Sequence, residues 1–267
     1  MNIHLDQHYI TGHSHRVCQD YSLKGRVNEQ SYLILSDGCS ASENTDIGAR
    51  LLCLSAQSLL QSHINAMPDW KSFGLSVIQE TAKIAQQIQL SLNALDATLL
   101  VAWTAQDRFY VYVYGDGCLA MRSAEGRLRT IDLEFQPNAP FYLSYWLDEA
   151  LIKQYQVLIK DPKNLSLHDT KLGYKLLVPF NEVLAFTFKR KEYPLLAIFS
   201  DGISAWQKRK QRDYLPSLTV AETLLNFPNL QENFAYRRLA KAQKNYLKQD
   251  IYPMDDVAMG AFVCHED

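Results

Sequence analysis

Three short apolar runs along the chain stop on an Asp-Gly pair. Tyr32-Leu33-Ile34-Leu35 leads into Ser36-Asp37-Gly38, Val111-Tyr112-Val113-Tyr114 into Gly115-Asp116-Gly117, and Leu195-Leu196-Ala197-Ile198-Phe199 into Ser200-Asp201-Gly202. An unbroken apolar run of this length predicts a buried strand, and the glycine lets the backbone turn sharply beside the carboxylate. Asp255-Asp256, ahead of the apolar run 257–263, is the mirror arrangement, with carboxylates at a strand start.

Elsewhere the apolar spacing changes to that of helices. Over 45–66, Ile47, Leu51 and Leu54 form one stripe and Leu52, Ala56 and Leu59 the next, an apolar face wide enough to predict burial against both a sheet and a second helix. Pro68 interrupts the pattern, and Asp69 offers a cap to a second helix carrying Phe73, Val77, Ile84 and Ile88. The two helices are expected to pack as an antiparallel pair. From Thr98 the residues become β-branched and aromatic, which predicts a hairpin of 98–103 with 109–114, then strands at 117–122 and 128–133, together an antiparallel meander. The first thirty residues predict an edge or hairpin region ending near Asp20. Segments 217–227 and 230–248 form a second helical pair, the latter with Ala235, Leu239, Ala242 and Tyr246 on one face. Residues 134–194, broken by Pro137, Pro140, Pro162 and Pro179, are expected to form an insertion or flap over the site. Strands in series with helices added in pairs predict an α+β fold of antiparallel sheet layers covered by helices, in a single domain spanning 1–267.

Composition narrows the partners. The 267 residues are 47% hydrophobic and 21% charged with a net charge of −2, values that point away from disorder and from a global polyanion-binding field. No apolar run is long enough for a membrane span, and Met1 to Val17 lacks the apolar centre of a signal peptide, so a cytoplasmic protein without nucleic-acid or membrane partners is expected. The basic run 208–212 reads as a solvated loop. Five widely spaced cysteines contain no Cys-x-x-Cys pair, which argues against a zinc knuckle or a redox motif.

Candidate chemistry rests on the aspartates. Asp-Gly is among the commonest turn pairs, so any one of the three turns needs no function. Asp37, Asp201 and Asp255 gathered at strand ends are another matter: buried carboxylates repel and resist ionisation unless a cation neutralises them. Oxygen-only ligands select hard ions, Mg²⁺ or Mn²⁺, and two such ions can activate water against a phosphate ester.

The motifs His15-Arg16-Val17-Cys18-Gln19-Asp20, Leu35-Ser36-Asp37-Gly38, Asp96-Ala97-Thr98, Tyr114-Gly115-Asp116-Gly117, Phe199-Ser200-Asp201-Gly202 and Asp255-Asp256-Val257-Ala258 occur in an order that resembles the metal-dependent protein phosphatases of type 2C, bacterial branch. The resemblance implies a four-layer αββα sandwich of two antiparallel sheets flanked by helix pairs, with two Mn²⁺ or Mg²⁺ ions and, in some members, a third. It implies Asp37 as the carboxylate bridging both metals and Gly38 as a carbonyl ligand. Asp201 and Asp255 would be ligands of one ion, Asp20 would act near the second, and Asp116 would hold the third. The implied activity is hydrolysis of phosphoserine or phosphothreonine in a phosphorylated protein, with a cognate kinase as counterpart.

Departures from that pattern set the alternatives. His15 has the spacing of the family's phosphate-binding arginine, with Arg16 one residue closer, and Cys39 follows Asp37-Gly38 where some members have a histidine acid. Arg16 is the candidate substrate-binding residue, and His13 or His15 the candidate proton donor, alongside Asp37 and Asp201 as catalytic residues. A catalytically inactive phosphatase-like domain that binds a phosphoprotein or partner, or a phosphatase of small metabolites, would use the same fold.

Overall fold

The computed structural model describes residues 2–265. In chain order the strands are β1 (Asn2–Ile10), β2 (Asp20–Val27), β3 (Gln30–Asp37), β4 (Leu99–Ala105), β5 (Arg108–Tyr114), β6 (Gly117–Arg122), β7 (Leu128–Phe135), β8 (Leu165–Asp169), β9 (Tyr174–Val178), β10 (Ala185–Lys189), β11 (Leu195–Phe199), β12 (Trp206–Lys208), β13 (Asp213–Tyr214), β14 (Ile251–Pro253) and β15 (Val257–His265). The helices are α1 (Thr45–His63), α2 (Trp70–Gln87), α3 (Glu149–Ile159), α4 (Ser217–Leu224) and α5 (Phe234–Leu247).

Two antiparallel sheets form the centre. One has seven strands in the order β1-β15-β11-β6-β7-β8-β9, the other five in the order β10-β5-β4-β3-β2. Their facing sides share a core containing Leu33, Leu100, Phe109, Leu119, Ile198 and Phe262. The outer side of the five-stranded sheet packs on α1 and α2 through Ile34, Val101, Leu52 and Phe73. The outer side of the seven-stranded sheet packs on α4 and α5 through Ala197, Met259, Val220 and Leu239. The result is the four-layer αββα sandwich. Strands β4 and β11 are buried on both faces, which is why their sequences read as continuous apolar runs rather than alternating ones.

Three details differ from the pattern of the sequence. The expected meander is split, because β4 and β5 lie in one sheet and β6 and β7 in the other. The chain changes sheets at Gly115-Asp116-Gly117, where the glycines sit at φ +93° and +136°, and a Cβ on Gly117 would come within 2.7 Å of the Phe199 carbonyl oxygen. Only glycine takes such angles without strain, and that frees the intervening aspartate to turn inward. In α1 the Leu52 and Ala56 stripe is buried while Ile47 and Leu54 are exposed at 39% and 47%. A helix lying on a sheet beside one neighbour has no third surface to cover. Finally, α5 begins only after Asn233, whose left-handed φ of 57° sets the entry turn, so the second helical pair is shorter than its spacing suggested.

The region 134–194 contributes β8 and β9 to one sheet and β10 to the other, together with α3. The part of it that reaches the ends of the central strands is the loop between β7 and α3. Among the described residues no helix is long and apolar enough to cross a membrane.

Candidate active site

The ends of four strands deliver the aspartates to one place. Asp20 opens β2 and stands in register with Asp37, the last residue of β3. Asp201 opens a 3-10 turn directly after β11, and Asp255 precedes β15, which is hydrogen-bonded to β11. Asp116 enters from the sheet-changing turn. A Cβ on Gly202 would overlap the Asp256 carbonyl oxygen, so that glycine is required by close approach of the two backbone segments.

A cavity of about 230 Å³ lies where these ends meet, and His15, Asp37, Gly38, Asp116, Asp201 and Asp255 all line it. Asp20 is buried beneath it, with one carboxylate oxygen accepting from the Ser200 hydroxyl at 2.7 Å. A second cavity of about 240 Å³ shares Asp116 and Asp201 and adds Asp132 and Glu134. Arg16 is exposed and outside the lining of the central cavity, as is His13, whose ring packs 4.9 Å from that of Tyr252. The structure therefore brings together seven of the nine candidate residues picked from the sequence and leaves Arg16 and His13 apart.

Electrostatics at this point are severe. Asp20, Asp37 and Asp116 have carboxyl groups held well above the usual carboxylate range, first because burial penalises the charge. Repulsion adds to it, from Asp20 and Asp201 on Asp37 and from Asp201 on Asp116. Asp201 and Asp255 are raised for the same first reason, burial. His15 is raised despite burial, since its contact with Asp256 and the charges of Asp256, Asp255 and Asp201 outweigh the desolvation that would lower it. Its Nδ1 lies 3.1 Å from Asp256 Oδ2 and its Nε2 3.5 Å from Asp255 Oδ1.

These residues fit a hard divalent cation by their chemistry. The donors are carboxylate oxygens, and Asp20 Oδ1 and Asp201 Oδ1 are both buried without a hydrogen-bond partner among the described residues. Asp20 and Asp201 are the carboxylates whose charges act most strongly on Asp37. Among the described residues no three such side chains are closed around one point as a formed metal site.

Several further residues hold the site. Asp256 accepts the backbone N–H groups of Gly12 at 2.7 Å and Gln19 at 2.6 Å, and so ties the loop bearing His15 to β15. Ser200 links Asp20 to the Ala258 amide at 2.9 Å, and Thr98 accepts from the Asp37 amide at 3.1 Å. Asp96 receives Ser42 Oγ at 2.8 Å on one oxygen and Ser144 Oγ at 2.6 Å on the other. Tyr142, from the loop between β7 and α3, completes the cavity wall beside Cys39. Asp96, Thr98, Ser200 and Asp256 stood within motifs of the sequence, without these partners, and Tyr142 stood in none.

Two antiparallel sheets between helix pairs, with acidic strand ends at one pole, define the type 2C phosphatase architecture. The chain belongs to that family: residues 11–242 match the family model for protein phosphatase 2C. No curated relative matches it. Among solved structures it resembles a bacterial serine phosphatase with a TM-score of 0.60 at 12% identity, covering 100% of this chain and 99% of that one. It also resembles the serine/threonine phosphatase Stp1 from Staphylococcus aureus, with a TM-score of 0.59, 13% identity and coverage of 100% and 96%. The Mycobacterium tuberculosis serine/threonine phosphatase PstP/Ppp gives 0.57 and 16%, with 99% of both chains covered. At these identities the likeness is one of fold.

Proposed function

We propose that this chain is a divalent-metal-dependent phosphatase that hydrolyses phosphoserine and phosphothreonine in proteins, reversing a cognate kinase. The observation that supports it most directly is the convergence of Asp20, Asp37, Asp116, Asp201 and Asp255 at one pole, with two buried carboxylate oxygens left unpartnered. Asp37 would bridge two Mn²⁺ or Mg²⁺ ions, with the Gly38 carbonyl beside it, Asp201 and Asp255 on one ion, Asp20 supporting the other and Asp116 reaching a third. When bound, the ions supply water activation and charge neutralisation on the phosphoryl oxygens. The chain's own part is to hold the carboxylates at rigid strand ends and to place His15, gripped between Asp255 and Asp256, where it can protonate the leaving oxygen. The five cysteines are all free, which suits a reducing compartment and extends the reading to a cytoplasmic enzyme.

A second reading is a catalytically inactive module that binds a phosphoprotein or other partner without turnover, outside this cavity. It is favoured by one observation: among the described residues lining the central cavity there is no arginine or lysine. Hydrolysis of a phosphothreonine peptide with and without Mn²⁺ separates the two. Turnover that needs Mn²⁺ and falls about 100-fold or more in Asp201→Asn is the expected result. A folded native chain with no turnover under any divalent ion puts the binding module ahead.

A further inference from the structure

The cavity contains a mismatch between its task and its donors. A phosphoryl group brings several acceptor oxygens, yet the wall carries four carboxylates and, besides His15, no cationic side chain among the described residues. Arg16 is exposed on the outside. His15, held beside Asp256 and Asp255, is assigned to the leaving oxygen. The neutral donors left on the wall are Ser40, Thr98, Asn138 and Tyr142; Ser40 and Asn138 are exposed, and Thr98 lies against the Asp37 amide.

Tyr142 is placed for this. Buried tyrosines elsewhere in the chain donate their hydroxyls to protein acceptors: Tyr114 to the Trp70 carbonyl at 2.6 Å, and Tyr155 to the Ala139 carbonyl at 2.6 Å. Tyr142 is 7% exposed and lines the cavity together with Cys39, Asp37 and Asp116, and among the described residues its hydroxyl donates to no protein acceptor. A phenol of ordinary acidity, with a pKa of about 10, is protonated at neutral pH and is therefore a neutral donor.

The loop that carries it is fastened at both sides. Phe141 sits in the inter-sheet core against Phe180 and Tyr155, with ring centroids 4.8 and 5.0 Å away. Leu143 sits in the other core, under α2. Ser144 donates to Asp96, whose second oxygen holds Ser42 on the loop that follows Asp37. One carboxylate thus couples the tyrosine loop to the metal-side loop. A donor with so little freedom to lose on binding is worth most to a ligand.

We infer that Tyr142 is a substrate-binding residue whose hydroxyl donates to a phosphoryl oxygen, in the place that a guanidinium would otherwise fill. Asp96 and Ser144 are positioning residues for it. The inference takes its ligand class from the phosphatase reading.

The test is binding of inorganic phosphate to the Mn²⁺-loaded protein by calorimetry, which requires no turnover. Tyr142→Phe keeps the ring and is expected to weaken phosphate about tenfold, the size of one hydrogen bond to a charged acceptor. The melting transition of the metal-free protein and its shift on adding Mn²⁺ should stay as in the native chain. Ser144→Ala, which frees the loop from Asp96, should weaken phosphate as well. Tyr114→Phe serves as the structural control, lowering stability while leaving phosphate affinity intact. With a phosphothreonine peptide, KM should rise in Tyr142→Phe by the same factor and kcat should change little. Equal phosphate affinity in the native chain and Tyr142→Phe overturns the inference, as does a native protein that binds no phosphate with Mn²⁺ present. Tyrosine-dependent phosphate binding without turnover upholds the inference and sinks the phosphatase reading.

Discussion

Asp256 shows how much of this site hangs on a residue outside the ligand set. It is buried, and its two oxygens accept the Gly12 and Gln19 amides while one of them meets His15. Asp256→Ala leaves two amides without acceptors, and a cost of about 3 kcal/mol in unfolding free energy is expected from the loss of charge-assisted bonds. Asp256→Asn, which retains one acceptor, should cost less. Denaturant midpoints of the three proteins measure this; equal midpoints would show that the bonds add nothing. At this scale the sequence was informative about carboxylates and poor about their neighbours. Asp37 and Asp201 announced themselves by ending apolar runs, because a strand terminus has a local signature. Tyr142, Ser200 and Asp96 follow no such rule, and the choice between His15 and Arg16 turned on which side of one short loop faces inward.

Among the elements, the sheet-changing turn and the α2 cap carry the sharpest expectations. Gly117→Ala puts a methyl against the Phe199 carbonyl at a φ that L-residues avoid, so a loss of more than about 1 kcal/mol is expected, with release of Asp116 from the cavity. An unchanged thermal midpoint would mean that the turn adapts without strain. At the start of α2, Asp69 accepts from the Ser72 amide at 3.0 Å, and Asp69→Ala should cost about 1 kcal/mol without touching metal response. Most elements were legible because their periods differ: two residues or continuous for strands, 3.6 for helices. What the periods did not reveal was that β5 and β6, consecutive and close, belong to different sheets. A hairpin and a crossover look alike when both strands are apolar, and the two positive-φ glycines were the one local hint.

Across the whole molecule, the seven-stranded sheet is pinned on its far side by Arg129 of β7, which donates to both oxygens of Asp169 at the end of β8, at 2.9 and 2.5 Å. Burial would raise the Asp169 carboxyl, but the Arg129 hydrogen bonds outweigh it and hold the group below its ordinary value. A carboxylate depressed on folding adds stability that is present above its unfolded pKa, about 4, and lost as pH falls through the folded value. Asp169→Asn should therefore lower stability at neutral pH and flatten the acid decline below about pH 4. Urea midpoints across that range provide the check, and parallel native and variant curves would remove Asp169 from the account. By itself the sequence determined where the chain is buried, where it turns, and that carboxylates stand at strand ends. Those properties are local and are written in apolar spacing and glycine. Only the tertiary structure decided that four strand ends share one pole, that Asp256 holds a loop 244 residues away, and that Tyr142 from the loop before α3 lines the cavity. Such contacts arise from strand order and layer packing, which no stretch of residues encodes on its own.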